Sequence, residues 1–160
     1  MRNILIVLIV FILMEPFTTF IHRYVMHLFG WVWHKSHHTR FAKPFELNDL
    51  YPVVFSFLTI YLFVLGMENS IYTAVGIGIT LYGIVYFIVH EIIIHSRFIA
   101  IKNNNRLFNY WRFGHNVHHQ FQKAPYGFII PVTPKVLRIK AVENYRDLLN
   151  RFHHNKDIAN

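Results

Sequence analysis

The sequence predicts an all-α integral membrane protein with about three or four transmembrane helices and a cytoplasmic helical cap that is rich in histidine. Hydrophobic residues make up 54% of the chain and the mean hydropathy is +0.29, which is too apolar for a soluble domain of 160 residues. Three apolar runs have about the 20 residues that cross a bilayer. Ten of the 12 histidines form four clusters, each where apolar sequence gives way to polar, basic sequence. Residues 1–160 are most simply one domain.

The predicted spans are the three apolar runs, Asn3 to about Ile21, Leu50 to about Met67, and Ile71 to about Val89. The first run has no small-residue cleavage site and continues directly into the first histidine pair, which favours a retained helix over a signal peptide. The main alternative is a break of the third run into re-entrant pieces at Gly76, Gly78 or Gly83.

The basic residues predict on which side of the membrane each polar segment lies. No lysine or arginine lies between Tyr51 and Ser96, whereas the chain from Arg97 onward has eleven and the segment from Ile21 to Leu50 has four. Because basic segments stay in the cytoplasm, we expect all four histidine clusters on the cytoplasmic face of the cell inner membrane. The net charge of +8 suits anionic lipid headgroups or an acidic electron-transfer protein. Its spread next to membrane spans argues against a nucleic-acid partner.

Beyond the third span the sequence predicts two more helices joined by a loop. One helix runs from Asn104 or Asn105 to about Gln122 and carries a histidine cluster on one side. Two prolines and a glycine predict a loop from Lys123 to Val132. From Thr133 onward, apolar residues recur at helical spacing, which is typical of an amphipathic helix on the membrane or beneath the site. His153 and His154 in the polar tail are interpreted as surface residues.

The four histidine clusters have the spacing of metal ligands. Two are triads at positions i, i+3 and i+4, which are neighbours on one helical face, so three imidazoles can converge on one side. Two are pairs whose members lie about 140° apart on an ideal helix, so each pair either divides between two metals or is brought together by a local bend. The ten predicted ligands are His22, His27, His34, His37, His38, His90, His95, His115, His118 and His119. Ten imidazoles are too many for one ion and suit two ions that share a pocket.

The chain has no cysteine, which excludes thiolate metal sites and cysteine nucleophiles and leaves histidine and carboxylate as ligands. Imidazole accepts iron, zinc, copper and nickel alike. Iron is favoured because a redox-active pair of ions can activate dioxygen beside a lipid-soluble substrate. A membrane zinc protease is disfavoured, because His95 is one residue too far from His90 for the i, i+4 pair of that chemistry. The clusters are also denser than the axial ligation of a b-type haem requires.

Three carboxylates lie near the clusters in the sequence. Glu15 lies seven residues before His22 inside an apolar span and is predicted to be a metal ligand, a partner that orients an imidazole, or a carboxylate satisfied by a neighbouring helix. Asp49 is interpreted as a hydrogen-bond partner of a ligand histidine or as a helix cap. Glu91 is at i, i+4 to His95 and is predicted to orient that ring or to lie at the lipid interface.

The chain resembles the bacterial β-carotene 3-hydroxylase family, within the wider fatty acid hydroxylase and sterol desaturase superfamily. The segments that carry the resemblance are His22–His27, His34–His38, Glu46–Leu50, His90–His95, His115–His119 and Tyr126-Gly127-Phe128. It covers nearly the whole chain from Glu15 to about Pro131.

This resemblance implies a non-haem di-iron monooxygenase that uses O2 to hydroxylate C3 of the β-ionone ring, converting β-carotene through β-cryptoxanthin to zeaxanthin. It implies that the ten clustered histidines hold the two iron ions, and that a ferredoxin and its reductase supply electrons. A carotenoid dissolves in the bilayer core. A site at the inner end of the spans therefore lets one ring reach the metals while the polyene stays in lipid.

Two other functions remain open from the sequence. One is a hydroxylase or desaturase of sterols or fatty acyl chains from the same superfamily. The other is a non-catalytic membrane protein that binds or transports metal. A transporter is expected to have polar ligands along its spans, whereas the histidines here collect at one side.

Overall fold

The computed structural model describes residues 1–39, 45–99, 101 and 105–158, with side chains described up to residue 146. Within these residues every regular element is a helix, which confirms the predicted all-α class. The predicted surface positions of His153 and His154 lie outside the described side chains.

The helices follow the order of the predicted segments. They are α1 (Arg2–Ile21) with a π-helical continuation π1 (His22–Phe29), α2 (Trp31–His34), a 3-10 turn (Leu47–Asp49), α3 (Leu50–Gly66), α4 (Ser70–Tyr86) with a π-helical continuation π2 (Phe87–Ile94), α5 (Arg106–Phe121) and α6 (Lys135–Ile158). The Asn69 side chain caps α4 by accepting from Ile71 N at 3.0 Å, and Asn105 caps α5 by accepting from Phe108 N at 2.8 Å. The predicted loop, residues 123–132, is described throughout and is not helical.

Three helical stretches of the described chain are long and apolar enough to cross a membrane. They are Arg2–Phe29, Leu47–Gly66 and Ser70–Ile94. These stretches coincide with the predicted spans and confirm the membrane class. Because α4 is continuous through Gly76, Gly78 and Gly83, the alternative of a third run broken into re-entrant pieces is wrong.

Small residues on α4 let the spans approach closely. α4 lies between α1 and α3 and packs against both. Its buried residues are Ala74, Gly76, Gly78 and Tyr82. A Cβ atom added to Gly78 would lie 2.8 Å from the Val10 side chain on α1. Lipid provides no hydrophobic driving force between helices, so membrane helices associate largely through close packing of this kind.

Replacing Gly78 by alanine is expected to destabilise the bundle by about 1–3 kcal/mol, because the new methyl group overpacks the contact with α1. The nearest atoms include the backbone oxygen of Val7 at 3.0 Å, which cannot move aside as a side chain could. Thermal unfolding in detergent measures the effect. Gly83→Ala is the matched control, since a Cβ there meets nothing within 4 Å. Equal stability of the two variants would contradict this account of the packing.

All four histidine clusters lie at one end of the bundle. α1 and α4 run in the same direction and α3 runs in the opposite one, so π1, the start of α3 and π2 meet at this end. α5 packs against π2 there, and α6 packs against α5. The two helices after the third span therefore form the helical cap that the sequence predicts.

Candidate metal centre

The first histidine pair lies on π1, where i→i+5 hydrogen bonds replace the i→i+4 bonds of an α-helix. Gly30 N donates to Val25 O at 2.8 Å with this spacing. The wider turn brings residues that are five apart to the same side of the helix. The ring centroids of His22 and His27 are consequently 5.1 Å apart.

The second pair is built in the same way on π2. His95 N donates to His90 O at 3.0 Å, which is again an i→i+5 bond. The two ring centroids lie 4.8 Å apart. Of the two sequence expectations for the pairs, the local change of helix geometry that keeps them together is the one observed.

The triads, in contrast, are divided. α2 ends at His34, and the turn that follows separates His37 from His34 and His38. On α5, His115 and His118 also belong to different groups. The three rings of each triad do converge on one side, with centroids no more than 6.0 Å apart, but each segment lies between the two groups and supplies nitrogen atoms to both.

Two groups of histidines result. The first comprises His22, His27, His34, His38 and His118, and the second comprises His37, His90, His95 and His115. In each group, one ring nitrogen of every member lies within 4.8 Å of those of the others. The ring of His119 lies between the groups, with its centroid 4.3 Å from that of His115 and 4.3 Å from that of His38. All ten histidines singled out in the sequence are thus together.

Five of the rings are fixed by a hydrogen bond at Nδ1, the nitrogen that faces away from the group. The acceptors are Tyr126 O for His22 (2.8 Å), Asn48 Oδ1 for His34 (2.7 Å), Glu46 Oε2 for His37 (3.2 Å), Glu91 Oε1 for His90 (2.7 Å) and Lys123 O for His118 (2.8 Å). Because these oxygens accept, Nδ1 carries the proton and Nε2 presents a lone pair to the group. Oxygen partners at the outer nitrogen are a regular feature of histidines that bind metals.

In the first group these lone pairs face one another. The lone pairs of His22 Nε2 and His34 Nε2 are on atoms 3.0 Å apart, and the Nε2 atoms of His27 and His118 lie 3.1 Å apart. Two lone pairs at this distance repel each other unless a cation binds both. Nitrogen atoms that bind one ion at about 2.1 Å and at right angles lie about 3.0 Å apart. The donor set of the first group therefore fits a metal ion.

The second group, with His119 beside it, has inner nitrogen atoms that are only partly paired. Nε2 of His95 lies 2.7 Å from Nε2 of His115. The Nε2 atoms of His37, His90 and His119 are buried and have no hydrogen-bond partner among the described residues. Since buried polar atoms are nearly always paired, these three atoms indicate a missing ligand. A second metal ion accounts for all of them.

Burial keeps the imidazoles outside the spans in the neutral form that binds metal. Desolvation, as the largest cause, lowers the pKa of His34 to about 4 and that of His118 to about 4. It lowers the pKa of His95 to about 3, where His90 adds to the effect. The pKa values of His37 and His115 also lie well below the usual value for the same reason. Metal ions therefore need not displace protons from these rings at neutral pH.

Glu15 does not contact the histidines, and the prediction that it binds a metal or orients an imidazole is not what the structure shows. Its Oε1 accepts from Ile130 N at 2.9 Å and from Ile129 N at 3.1 Å. Its Oε2 accepts from the Tyr82 hydroxyl at 2.7 Å. The loop after α5 folds back against α1, and its backbone amides donate hydrogen bonds to this carboxylate. Glu15 thus anchors the loop whose Tyr126 carbonyl holds His22.

Replacing Glu15 by alanine is expected to loosen this loop, because the half-buried amide of Ile129 loses its acceptor at a cost of about 1 kcal/mol, whereas the exposed amide of Ile130 can bond to water. The loop fixes the ring of His22 through Tyr126 O, so we expect weaker metal retention and a lower unfolding temperature. Metal content after dialysis and thermal unfolding in detergent measure both. The control is Glu68→Ala, since Glu68 is exposed in the turn between α3 and α4. Unchanged metal retention in the Glu15 variant would contradict the anchoring role.

Glu91 orients a histidine of the second group, but it is His90 and not the predicted His95. Its other oxygen accepts from Arg97 Nη1 at 2.6 Å. Arg97 also donates to both oxygens of Asp49 at 2.8 Å, and its side chain is only 2% exposed. The hydrogen bonds to Asp49, and then those to Glu91, raise the pKa of Arg97 above its usual value. An ionic chain from Asp49 through Arg97 and Glu91 thus supports His90.

Asp49 itself acts as a cap, which is one of its two interpretations from the sequence. Its Oδ2 accepts from Glu46 N at 2.9 Å, as the capping box at the 3-10 turn requires. The oxygens that hold histidines of the two groups come instead from its neighbours Glu46 and Asn48. Sequence reasoning missed both. The spacing of Glu46 and Asp49 was the available signal, because a capping box places the intervening side chains in a tight turn beside α2.

An apolar cavity of about 780 Å³ lies between α1, α3 and α4, next to the histidine groups. Its walls are mainly aliphatic and aromatic, as at Met14, Ile60 and Phe63. At the end nearest the histidines it meets Tyr86 and Phe128. Its volume is in the range of cavities that bury a small apolar ligand.

A bundle of helices that are long and apolar enough to span a membrane, ending in two groups of imidazoles that could hold metal ions, defines a membrane protein of the histidine-cluster type. The chain belongs to the β-carotene hydroxylase family of enzymes. It is 39% identical over 142 residues to a "Beta-carotene hydroxylase" of Pseudescherichia vulneris, which covers 85% of this chain and 81% of that protein. It is 35% identical over 147 residues to a "Beta-carotene hydroxylase" of Paracoccus sp. (strain N81106 / MBIC 01143), with 88% and 90% covered.

A plant relative extends the comparison. The chain is 33% identical over 125 residues to a "Beta-carotene 3-hydroxylase, chloroplastic" of an Oncidium hybrid cultivar, with 73% of this chain and 41% of that protein covered. No family model and no solved structure matches the chain. The family resemblance noted in the sequence is thereby confirmed by relatives that match most of its length.

Proposed function

We propose that this chain is a membrane monooxygenase that holds two non-haem iron ions and hydroxylates C3 of the β-ionone rings of β-carotene, giving β-cryptoxanthin and then zeaxanthin. The observation that carries the proposal is the set of unprotonated Nε2 atoms that face one another in two groups beside an apolar cavity. The names of the relatives supply the substrate and the position on the ring.

Each hydroxylation consumes one O2, two electrons and two protons, and releases one water molecule as a C–H bond becomes C–OH. The two iron ions would supply the activation of dioxygen, which no side chain in the chain provides. Two molecules of reduced ferredoxin, each donating one electron, and the ferredoxin reductase complete the balance. The basic surface of the chain suits such an acidic donor.

The protein itself would bind the metal ions, orient the carotenoid ring and exclude water from the site. The first histidine group would hold one ion, and the second group, with His119 beside it, would hold the other. Oxygen partners at Nδ1 hold the rings in place with Nε2 facing the group. The cavity between the spans would take up one end of the carotenoid from the lipid.

The proposed location is the cell inner membrane, with the histidine groups on the cytoplasmic side. The support is the charge asymmetry, since eleven basic residues follow the third span and none lies between Tyr51 and Ser96. A cytoplasmic position also gives a soluble ferredoxin access to the metal centre.

Expression in cells that accumulate β-carotene tests the proposal directly. We expect β-cryptoxanthin and zeaxanthin to appear in the pigment extract, and the purified membrane protein to contain two iron ions per chain. Lipid and sterol fractions of the same cells test the alternative substrates. Unchanged pigments in cells whose membranes contain the chain, with ferredoxin and its reductase supplied, would overturn the proposal.

A further inference from the structure

Two aromatic rings separate the apolar cavity from the histidine groups. Phe128 lies flat on His22 of the first group, with ring centroids 4.8 Å apart and planes at 8°. Tyr86 lies in the same way on His90 of the second group, at 4.8 Å and 19°. The two rings meet edge to face at 4.9 Å. We call the Tyr86 and Phe128 rings the aromatic partition.

Phe128 is buried, Tyr86 is half-buried, and contacts with neighbouring groups hold the partition in place. Phe128 is 6% exposed, and its ring also contacts that of His90 edge to face at 5.2 Å. The loop that carries Phe128 is tied to α1 through Glu15. Both partition rings line the cavity, whereas none of the ten histidines does so in the described part of the chain. Among the described aromatic residues that line the cavity, these two lie directly against histidine rings, so an apolar ligand that moves from the cavity toward the histidines meets their edges.

The chemistry of the ring makes such a restriction necessary. In a β-ionone ring the polyene is attached at C6, and C3 is the carbon opposite, at the tip. C4 is adjacent to the C5=C6 double bond, so its C–H bonds are allylic and weaker than those at C3. Hydroxylation governed by intrinsic reactivity would therefore favour C4. Attack at C3 requires that the protein expose the tip of the ring to the metal centre and keep C4 away from it.

We propose that the aromatic partition is the device that selects C3, because it leaves an opening that admits only the tip of the ring to the metal centre. This inference rests on the proposed function. Tyr86 and Phe128 are positioning residues in this account. A smaller side chain at position 128 widens the opening, lets the ring enter more deeply and brings C4 within reach.

The first test is the position of the new hydroxyl group. In cells that accumulate β-carotene, Phe128→Leu and Phe128→Ala are expected to raise the ratio of 4-hydroxylated to 3-hydroxylated product about tenfold or more, which a small change in relative barrier heights suffices to cause. Phe63→Leu is the matched control. It removes a ring from the same cavity at a site where the ring packs against Gly76, and the product ratio should stay at the wild-type value whatever the total yield.

The second test measures the size of the opening without turnover. The zinc-substituted chain in lipid nanodiscs performs no redox chemistry. We expect it to bind zeaxanthin diacetate, which carries a bulky group on C3 of both rings, about tenfold more weakly than β-carotene. In Phe128→Ala this difference should fall to within about threefold, because the acetyl group fits the space left by the ring. The shift of the polyene absorption band reports binding.

The outcomes separate this inference from the proposed function. If wild-type chain makes no hydroxylated carotenoid, the proposed function fails. If wild type makes zeaxanthin and both Phe128 variants keep the wild-type product ratio, the partition does not select C3 while the function stands. If neither Phe128 variant accumulates enough for the pigment test, the binding comparison is made with Phe128→Met in the zinc-substituted chain. An undiminished preference for β-carotene over the diacetate in that variant overturns the inference.

Discussion

Replacing His37 by alanine is expected to lower the yield of hydroxylated carotenoid by about a hundredfold or more, since even residues that only support a metal ligand cost about 10–100-fold when changed. His37 belongs to the second histidine group, its Nε2 is buried without a partner in the described chain, and Glu46 holds its Nδ1. Without this ring the second ion loses one of its proposed ligands. Bound iron should accordingly fall from two ions to about one per chain.

Pigment extraction, iron analysis and an immunoblot of the membrane fraction measure the three quantities together. The variant should accumulate in the membrane, because the Glu46 carboxylate that loses the His37 ring keeps its hydrogen bond from the backbone of the capping box. His154→Ala, outside the four clusters, is the control and should behave as wild type. If the His37 variant fails to accumulate while the control does, the histidines serve the structure. Full activity in the His37 variant would refute the assignment of His37 to the metal centre.

Replacing Arg97 by leucine is expected to have the largest effect on stability. Arg97 pairs with Glu91 and Asp49, and the Glu91 side chain is only 6% exposed. Removing one partner of a buried ion pair typically costs about 3–5 kcal/mol, because the other charge stays buried. The same change releases Glu91, which fixes His90. We therefore expect little accumulated protein and weak metal retention in what remains.

A second substitution distinguishes this cause from a general loss of packing. In the double variant Arg97→Leu with Glu91→Gln, the buried charge is gone, and part of the stability should return. Arg106→Leu is the matched control, because Arg106 is exposed at the start of α5. Unfolding temperature in detergent and membrane accumulation are the measurements. A double variant that is less stable than Arg97→Leu alone would show that the ionic chain is not the source of the effect.

Much of the fold could be predicted from the chain because it depends on composition and short-range spacing. The three spans follow from apolar runs of sufficient length, and the cap at Asn105 and the loop at residues 123–132 follow from local turn chemistry. The ten histidines could be singled out because four clusters of imidazoles at such spacings are typical of metal binding. Their division could not be predicted. It depends on the π-helical windings that keep each pair together and on the position of each triad between the two groups, and the periodicity of the side chains indicates neither.

The carboxylates show the same limit. Glu15 is an ionisable group in an apolar span, which is also the sequence signal of a metal ligand. Its partners are backbone amides of a loop about 114 residues further along the chain. Glu91 is spaced to meet His95 on an ideal helix, yet the π-helical turn of π2 gives its carboxylate to His90. In both cases a distant or non-ideal backbone segment decides the partner.

The sequence by itself determined that this is a helical membrane protein of the β-carotene hydroxylase family with ten histidines at one end of three spans, because hydrophobic length and residue spacing are properties of the chain alone. Only the tertiary structure decided which imidazoles share a group, which oxygens hold them, and how the Tyr86 and Phe128 rings separate them from the apolar cavity. Those relations join residues far apart in the chain, and they arise from the packing of spans and loops against one another.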